Sequence, residues 1–235
     1  MSAVGEAPNA TAVPADAPAR KGLPVVEAAP QVPSWRLLAT LGGSGALAGL
    51  LIVSAYVRTQ PRIQAHRAEL LHAAIAEVLQ DPARADTLWL HDGKLVASLP
   101  RGVDGAKLER VYVGYGAKGD TVGYAITASE AGFADQVAVI FGYEPSTRRV
   151  LGMKVLGSKE TPGLGDKIEK PGFLAQFAGR VAPLVGVKGA VPAGDTSGIA
   201  MITGATISSR TVVREMNGAI ARWQPLVDAW RKEQR

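Results

Sequence analysis

Hydrophobic and polar positions divide the chain into unlike stretches. Residues 1–35 hold nine alanines and six prolines and show no period that could bury a face; such a segment is expected to be a disordered tail. Residues 37–57 then run for 21 positions without a charge, between Arg36 and Arg58. At about 1.5 Å of rise per residue this crosses the roughly 30 Å of a bilayer's hydrocarbon, so a transmembrane helix is expected over 36–58. Trp35 and Tyr56 stand near its ends, where amphipathic rings favour the headgroup layer. Gly45 and Gly49 are spaced either as a seam for a second helix or as ordinary glycines of an apolar helix. A cleaved signal peptide fits less well, because 36 residues precede the apolar run and the run exceeds the usual ~7–15 positions. Arg20, Lys21 and Arg36 on one side balance Arg58, Arg62 and Arg67 on the other, so charge alone sets no orientation.

After the span a juxtamembrane helix is expected over 59–82: from Pro61, Ile63, Leu71, Ile75 and Val78 fall near one face, and Asp81-Pro82 stops it. From Glu109 the runs become short and rich in Val, Ile and Tyr. Strands are expected at 109–115, 121–128, 136–143 and 148–156, with Lys-Gly-Asp and Glu-Pro-Ser-Thr among the turns between them, as antiparallel hairpins. A helix is expected over 172–179 and a strand over 199–202. A last helix starts near Ser208, with Val213, Met216, Ile220 and Trp223 on one face, until Pro225 breaks or kinks it. The sum is an α+β chain: one N-terminal transmembrane helix, then a mainly antiparallel-sheet domain over 83–235 with flanking helices, and not a Rossmann fold.

Composition narrows the chemistry. There is no cysteine, which excludes thiolate-held iron–sulfur clusters, c-type haem, Cys–zinc sites and disulfides. His66, His72 and His91 are spaced as surface histidines rather than metal ligands. Any redox role therefore needs an organic cofactor. The net charge of +5 comes from 26 basic residues scattered among 21 acidic ones, without the clustering that a nucleic-acid footprint requires.

Two segments carry candidate chemistry. In Thr203-Gly204-Ala205-Thr206-Ile207-Ser208-Ser209 a strand gives way to a helix through residues with little or no side chain, leaving the backbone open to a bulky group. Thr206 then stands at a helix mouth, where the unpaired amides of Ile207, Ser208 and Ser209 and the helix dipole favour an anion such as phosphate. On these residues alone the better reading of Thr206 is an ordinary helix cap. In Glu160-Thr161-Pro162-Gly163-Leu164-Gly165-Asp166-Lys167, Pro162-Gly163 favours a tight turn and Gly165 a close approach, so the loop can lie against a flat ring while Glu160, Thr161 and Lys167 offer polar contacts.

Thr203-Gly204-Ala205-Thr206 resembles the Ser/Thr-Gly-Ala-Thr flavinylation motif of the FMN-binding domain shared by the G subunit of the Rnf electron-transport complex and the C subunit of the sodium-translocating NADH:quinone reductase. Residues 160–165 are similar to the Glu-Thr-Pro-Gly-Leu-Gly segment of the same family, and Asp166-Lys167-Ile168-Glu169 continues the likeness to the Rnf branch. Gly157-Ser158 stands where the family often carries Glu-His, and residues 130–136 match loosely.

This resemblance implies an electron-transfer subunit rather than an enzyme by itself. One FMN would be esterified through its phosphate to Thr206, with Thr203, Gly204, Ala205, Ser208, Glu160, Thr161, Leu164, Gly165 and Lys167 around it. The implied partners are the other subunits of an ion-translocating membrane redox complex and, during maturation, a flavin transferase. The implied location is the bacterial inner membrane, with the flavin domain on the periplasmic side. A covalent-FMN subunit of a different membrane reductase, a non-flavinylated scaffold subunit and a soluble flavoenzyme are the alternatives.

Overall fold

The computed structural model describes residues 33–234, so the tail expected over 1–35 lies almost wholly outside the described residues. The chain divides into two units, residues 1–58 and 59–235. The described part of the first unit is helical from Ser34 onward and exposed throughout. Its Leu38, Leu41, Leu50 and Ile52 are 64–73% exposed. Apolar groups uncovered on every side suit hydrocarbon rather than water. α1 (Ser34–Val78) is the one helix among the described residues long and apolar enough to cross a membrane.

The two helices expected over 36–58 and 59–82 are a single helix. Pro61, expected to open the second, lies inside α1. An interior proline removes one bond of the helical ladder and crowds the carbonyl four residues before it, yet the good helix formers after it sustain the run to Val78.

The second unit is built on a six-stranded sheet of order β2-β1-β3-β4-β5-β6. The strands are β1 (Arg84–His91), β2 (Lys94–Val96), β3 (Arg110–Tyr115), β4 (Thr121–Ala131), β5 (Gln136–Glu144) and β6 (Arg149–Gly157), and every neighbouring pair is antiparallel. The last four match the expected strands. The first two are additional, joined by Asp92 and Gly93 with φ of 48° and 75°, the pair of positive dihedrals that a two-residue hairpin turn demands.

Alternation along the strands gives the sheet two apolar faces. One holds Val111, Val113, Tyr124, Ile126, Val139, Phe141 and Tyr143 and packs against α3 (Thr206–Glu233) through Val212, Met216, Ile220, Trp223 and Val227. The other holds Tyr112, Ala125 and Ile140 under Ala74, Ile75, Val78 and Leu79 from the end of α1. Gly142 makes this second contact possible, because a Cβ there would run into the Val78 carbonyl.

Of the break or kink expected at Pro225, the break does not occur: α3 continues to Glu233 with the proline inside it. Val227 is buried beyond the proline, and packing on the sheet outweighs one missing amide bond. The helix expected over 172–179 shrinks to one turn, α2 (Pro171–Leu174), since the chain leaves helical geometry before Gly179, whose φ is +81°. Short β7 (Val185–Val187) and β8 (Gly198–Ala200) pair in parallel, and β8 feeds the segment that leads into α3.

Candidate functional site

Three loops meet at the start of α3. The first follows β4 and carries Phe133. The second contains Thr161-Pro162-Gly163-Leu164, where the Leu164 amide donates to the Thr161 carbonyl at 3.1 Å and Gly163 has φ +77°; proline second and a left-handed glycine third make a type II turn. The third is 203–205, where Gly204 takes φ +85° and Ala205 the cap position of α3. Between them lies a cavity of about 320 Å³ lined by Phe133, Glu160, Thr161, Leu164, Gly165 and the residues from Gly204 to Ser208.

Glu160 ties the three loops together. Its Oε1 accepts the amides of Phe133 and Ala134 at 2.8 and 3.1 Å, and its Oε2 accepts the Ser208 hydroxyl at 2.7 Å. Burial raises the pKa of this carboxyl, but the Ser208 hydroxyl and the amides around Phe133 outweigh that and hold it below the usual value. Alongside, Lys159 Nζ meets Asp135 Oδ2 at 3.0 Å. A Cβ on Gly165 would lie 2.7 Å from Glu160 Cβ and Oε2. The close approach expected at Gly165 is therefore to Glu160, and Glu160 is engaged within the protein instead of reaching out as a polar contact.

Thr206 is the first residue of α3, not its cap; Ala205 caps with no side-chain bond. Its hydroxyl makes no hydrogen bond among the described residues, while its backbone carbonyl lies 3.4 Å from the Ser209 hydroxyl. The first free amides of the helix are those of Thr206, Ile207 and Ser208, none of which meets a carbonyl. Ser209, expected among them, donates instead to the Ala205 carbonyl at 3.0 Å, so the free donors sit one residue earlier. A partly exposed hydroxyl beside free amides at a helix N-terminus is a built place for a phosphate.

Of the residues singled out in the sequence, Glu160, Thr161, Leu164, Gly165, Gly204, Ala205, Thr206 and Ser208 line this cavity, whereas Thr203 and Lys167 do not; both of those are exposed. Phe133 was not among them and Ile207 was named only for its amide, yet their side chains are 67% and 52% exposed and, with Leu164, give the cavity an apolar rim. The signal for Phe133 lay in the loosely matching stretch 130–136, an aromatic beside Gly132 where a turn was due.

Residues 132–221 match the family model described as the FMN-binding domain. The chain is 32% identical over 200 residues to the G subunit of the Na(+)-translocating ferredoxin:NAD(+) oxidoreductase complex of Acetobacterium woodii, covering 82% of this chain and 94% of that protein. It is 34% identical over 201 residues to the G subunit of the ion-translocating oxidoreductase complex of Cereibacter sphaeroides, covering 82% and 84%. The chain belongs to the family of G subunits of ion-translocating oxidoreductase complexes. The crystal structure of Shewanella oneidensis NqrC shares the fold of this G subunit, with a TM-score of 0.59 at 20% identity over 70% of this chain and 99% of that one. All the residues that line the cavity, from Phe133 to Ser208 in sequence, fall inside the segment that the FMN-binding model matches.

Proposed function

We propose that this G subunit is a single-span, membrane-anchored electron carrier of a Rnf-type complex that holds one FMN as a phosphoester on Thr206. The span would occupy 36–58 and the FMN-binding domain 83–235, on the periplasmic side of a bacterial inner membrane. The observation that carries the reading is the Thr206 hydroxyl, committed to no bond at the mouth of α3 and set beside the free amides of Ile207 and Ser208.

The residues present fit the group. The amides of Thr206, Ile207 and Ser208 and the dipole of α3 would receive the phosphate. Phe133, Leu164 and Ile207 offer an apolar rim for a ring system, and Glu160 fixes the loops that bear them. FMN when bound supplies reversible one- and two-electron redox chemistry; the chain's part is to bind it, hold it in place and set its surroundings. A tether on Thr206 keeps the cofactor in a cavity too open to retain it by burial, and leaves it accessible to neighbouring subunits.

Attachment is a phosphotransfer performed by a separate flavin transferase. Thr206 would supply the acceptor oxygen for the FMN phosphate, FAD the activated phosphate with AMP as leaving group, and the transferase the base that takes the hydroxyl proton. No histidine is among the residues lining the cavity, which fits an externally supplied base.

Co-expression with a flavin transferase followed by intact-mass measurement tests the reading. One FMN moiety is expected on the wild-type chain and none on Thr206→Ala. An unmodified wild-type chain, or modification that survives in Thr206→Ala, overturns it.

A further inference from the structure

On the far side of α3's first turns the sheet leaves an edge open. Pairing of β3 with β4 ends at Tyr112↔Ala125, whereas β4 and β5 stay paired out to Ala131↔Gln136. From Ile126 to Ala131, β4 therefore has a strand on one side only, and Thr127, Ser129 and Ala131 are exposed. α3 passes beside this edge and leaves a groove of about 490 Å³ between Thr127–Glu130 and Arg214–Trp223.

Glu215 stands in this groove wall. It is 5% exposed, and neither carboxylate oxygen has a well-formed hydrogen bond among the described residues, the Glu130 amide being the donor that approaches it. One turn earlier, the Thr211 hydroxyl donates to the Ala131 carbonyl at 3.1 Å, so α3 already supplies one bond to the open strand where β3 would have done so. A buried carboxyl without a partner is costly, and an alanine or leucine would pack this helix position without that cost. The groove is flanked by the ion pairs Arg214–Glu130 and Arg222–Glu109. All four side chains are 39% exposed or more, so these pairs are weak and can exchange partners. With Glu215 ionised, the acids Glu109, Glu130 and Glu215 exceed the bases Arg214 and Arg222 by one charge. With Glu215 protonated these charges balance, so a cation brought against it would draw the carboxyl into its ionised form.

We infer that this groove docks an extended segment of a neighbouring subunit of the complex, which adds as a strand along Ile126–Ala131 and places a lysine or arginine side chain against Glu215. A free strand edge beside a helix is a recurrent way to bind a peptide: main-chain bonds supply affinity and one side-chain pocket supplies selectivity. The groove is separate from the cavity at Thr206, and the inference rests on the chain's place in a multi-subunit complex, not on flavinylation.

The absence of cysteine permits a direct test in membranes containing the whole complex. A benzophenone maleimide is placed on Ser129→Cys, at the edge, and on Ser146→Cys, an exposed position in another loop. Photolysis is expected to join Ser129→Cys, and not Ser146→Cys, to another subunit of the complex at a peptide bearing lysine or arginine. Adding Glu215→Gln, which keeps the shape and removes the charge, is expected to lower the yield several-fold. So is Gly218→Phe, which fills the groove from a position where a Cβ meets no atom. Equal yields at the two cysteines, or a yield untouched by both Glu215→Gln and Gly218→Phe, overturn the inference. If the wild-type chain co-purifies with no other subunit, the carrier reading falls with it; if it co-purifies and the cross-link is absent, only the groove falls.

Discussion

The Ser208 hydroxyl donates to Glu160 Oε2 at 2.7 Å, joining the first turn of α3 to a loop 48 positions earlier in the chain. Because Oε1 of the same carboxylate takes the amides of Phe133 and Ala134, the cavity beside Thr206 has one fastening. Glu160→Ala would leave the buried Ser208 hydroxyl and two part-buried amides without an acceptor, at a cost of about 2 kcal/mol. Glu160→Gln keeps an acceptor for the two amides and should lose less. Urea unfolding of both variants measures this, and equal stabilities would show that the carboxylate is not the fastening. Its folded pKa lies below the ordinary value, so the stabilisation is complete at neutral pH and is lost as pH falls through that lowered value.

Thr206→Ala should scarcely alter stability, although threonine at a true helix cap costs about 1 kcal/mol when truncated. The cap is Ala205, and among the described residues the Thr206 hydroxyl makes no hydrogen bond. A change in unfolding free energy within about 0.5 kcal/mol is expected, alongside complete loss of the FMN mass increment. A larger destabilisation would mean that the hydroxyl serves the fold.

The strands at 110–115, 121–131, 136–144 and 149–157 were legible because each combines Val, Ile or Tyr alternation with turn residues on both sides. β1 and β2 were not, since Arg84–His91 is half polar; the Asp92-Gly93 pair that joins them was the available signal. Pro61 and Pro225 misled for a common reason. Local propensity marks a break, while burial of Ile75 and Val78 after one and Val227 after the other favours continuing the helix. At the site, motif spacing brought Thr206 and residues 160–165 to one cavity. It could not show that Glu160 faces inward, because its partners at Phe133, Ala134 and Ser208 come from two distant segments.

Gly165 is tested by adding one methyl group. A Cβ at that position would stand 2.7 Å from Glu160 Cβ and 3.1 Å from the Ser208 hydroxyl, so Gly165→Ala must push the fastening apart. A loss of about 1–3 kcal/mol is expected from overpacking, with lower flavinylation yield as the loops separate. In a Glu160→Ala background the same methyl should cost less, since the contact with Oε2 is gone while the one with Cβ remains. A double-mutant cycle measures the difference, and strict additivity would show that the methyl does not press on the carboxylate.

Glu215 should make the protein less stable as pH rises. Burial first, and then the charge of Glu130, push its pKa up from 4.5 to about 8, against the pull of the Glu130 backbone and Arg214. Between those two values the folded chain keeps a proton that the unfolded chain has released. Folding is then coupled to proton uptake, so stability declines as pH climbs through this window and levels off above the folded value. Unfolding measured at about pH 5.5 and about pH 8.5 should show wild type losing stability relative to Glu215→Gln, which has no proton to exchange. A cation supplied by a docked partner would oppose the trend, since it favours the ionised carboxyl and lowers its pKa. Parallel pH profiles for wild type and Glu215→Gln in the isolated chain would mean that the carboxyl titrates at an ordinary value and that its burial is relieved by contact with water.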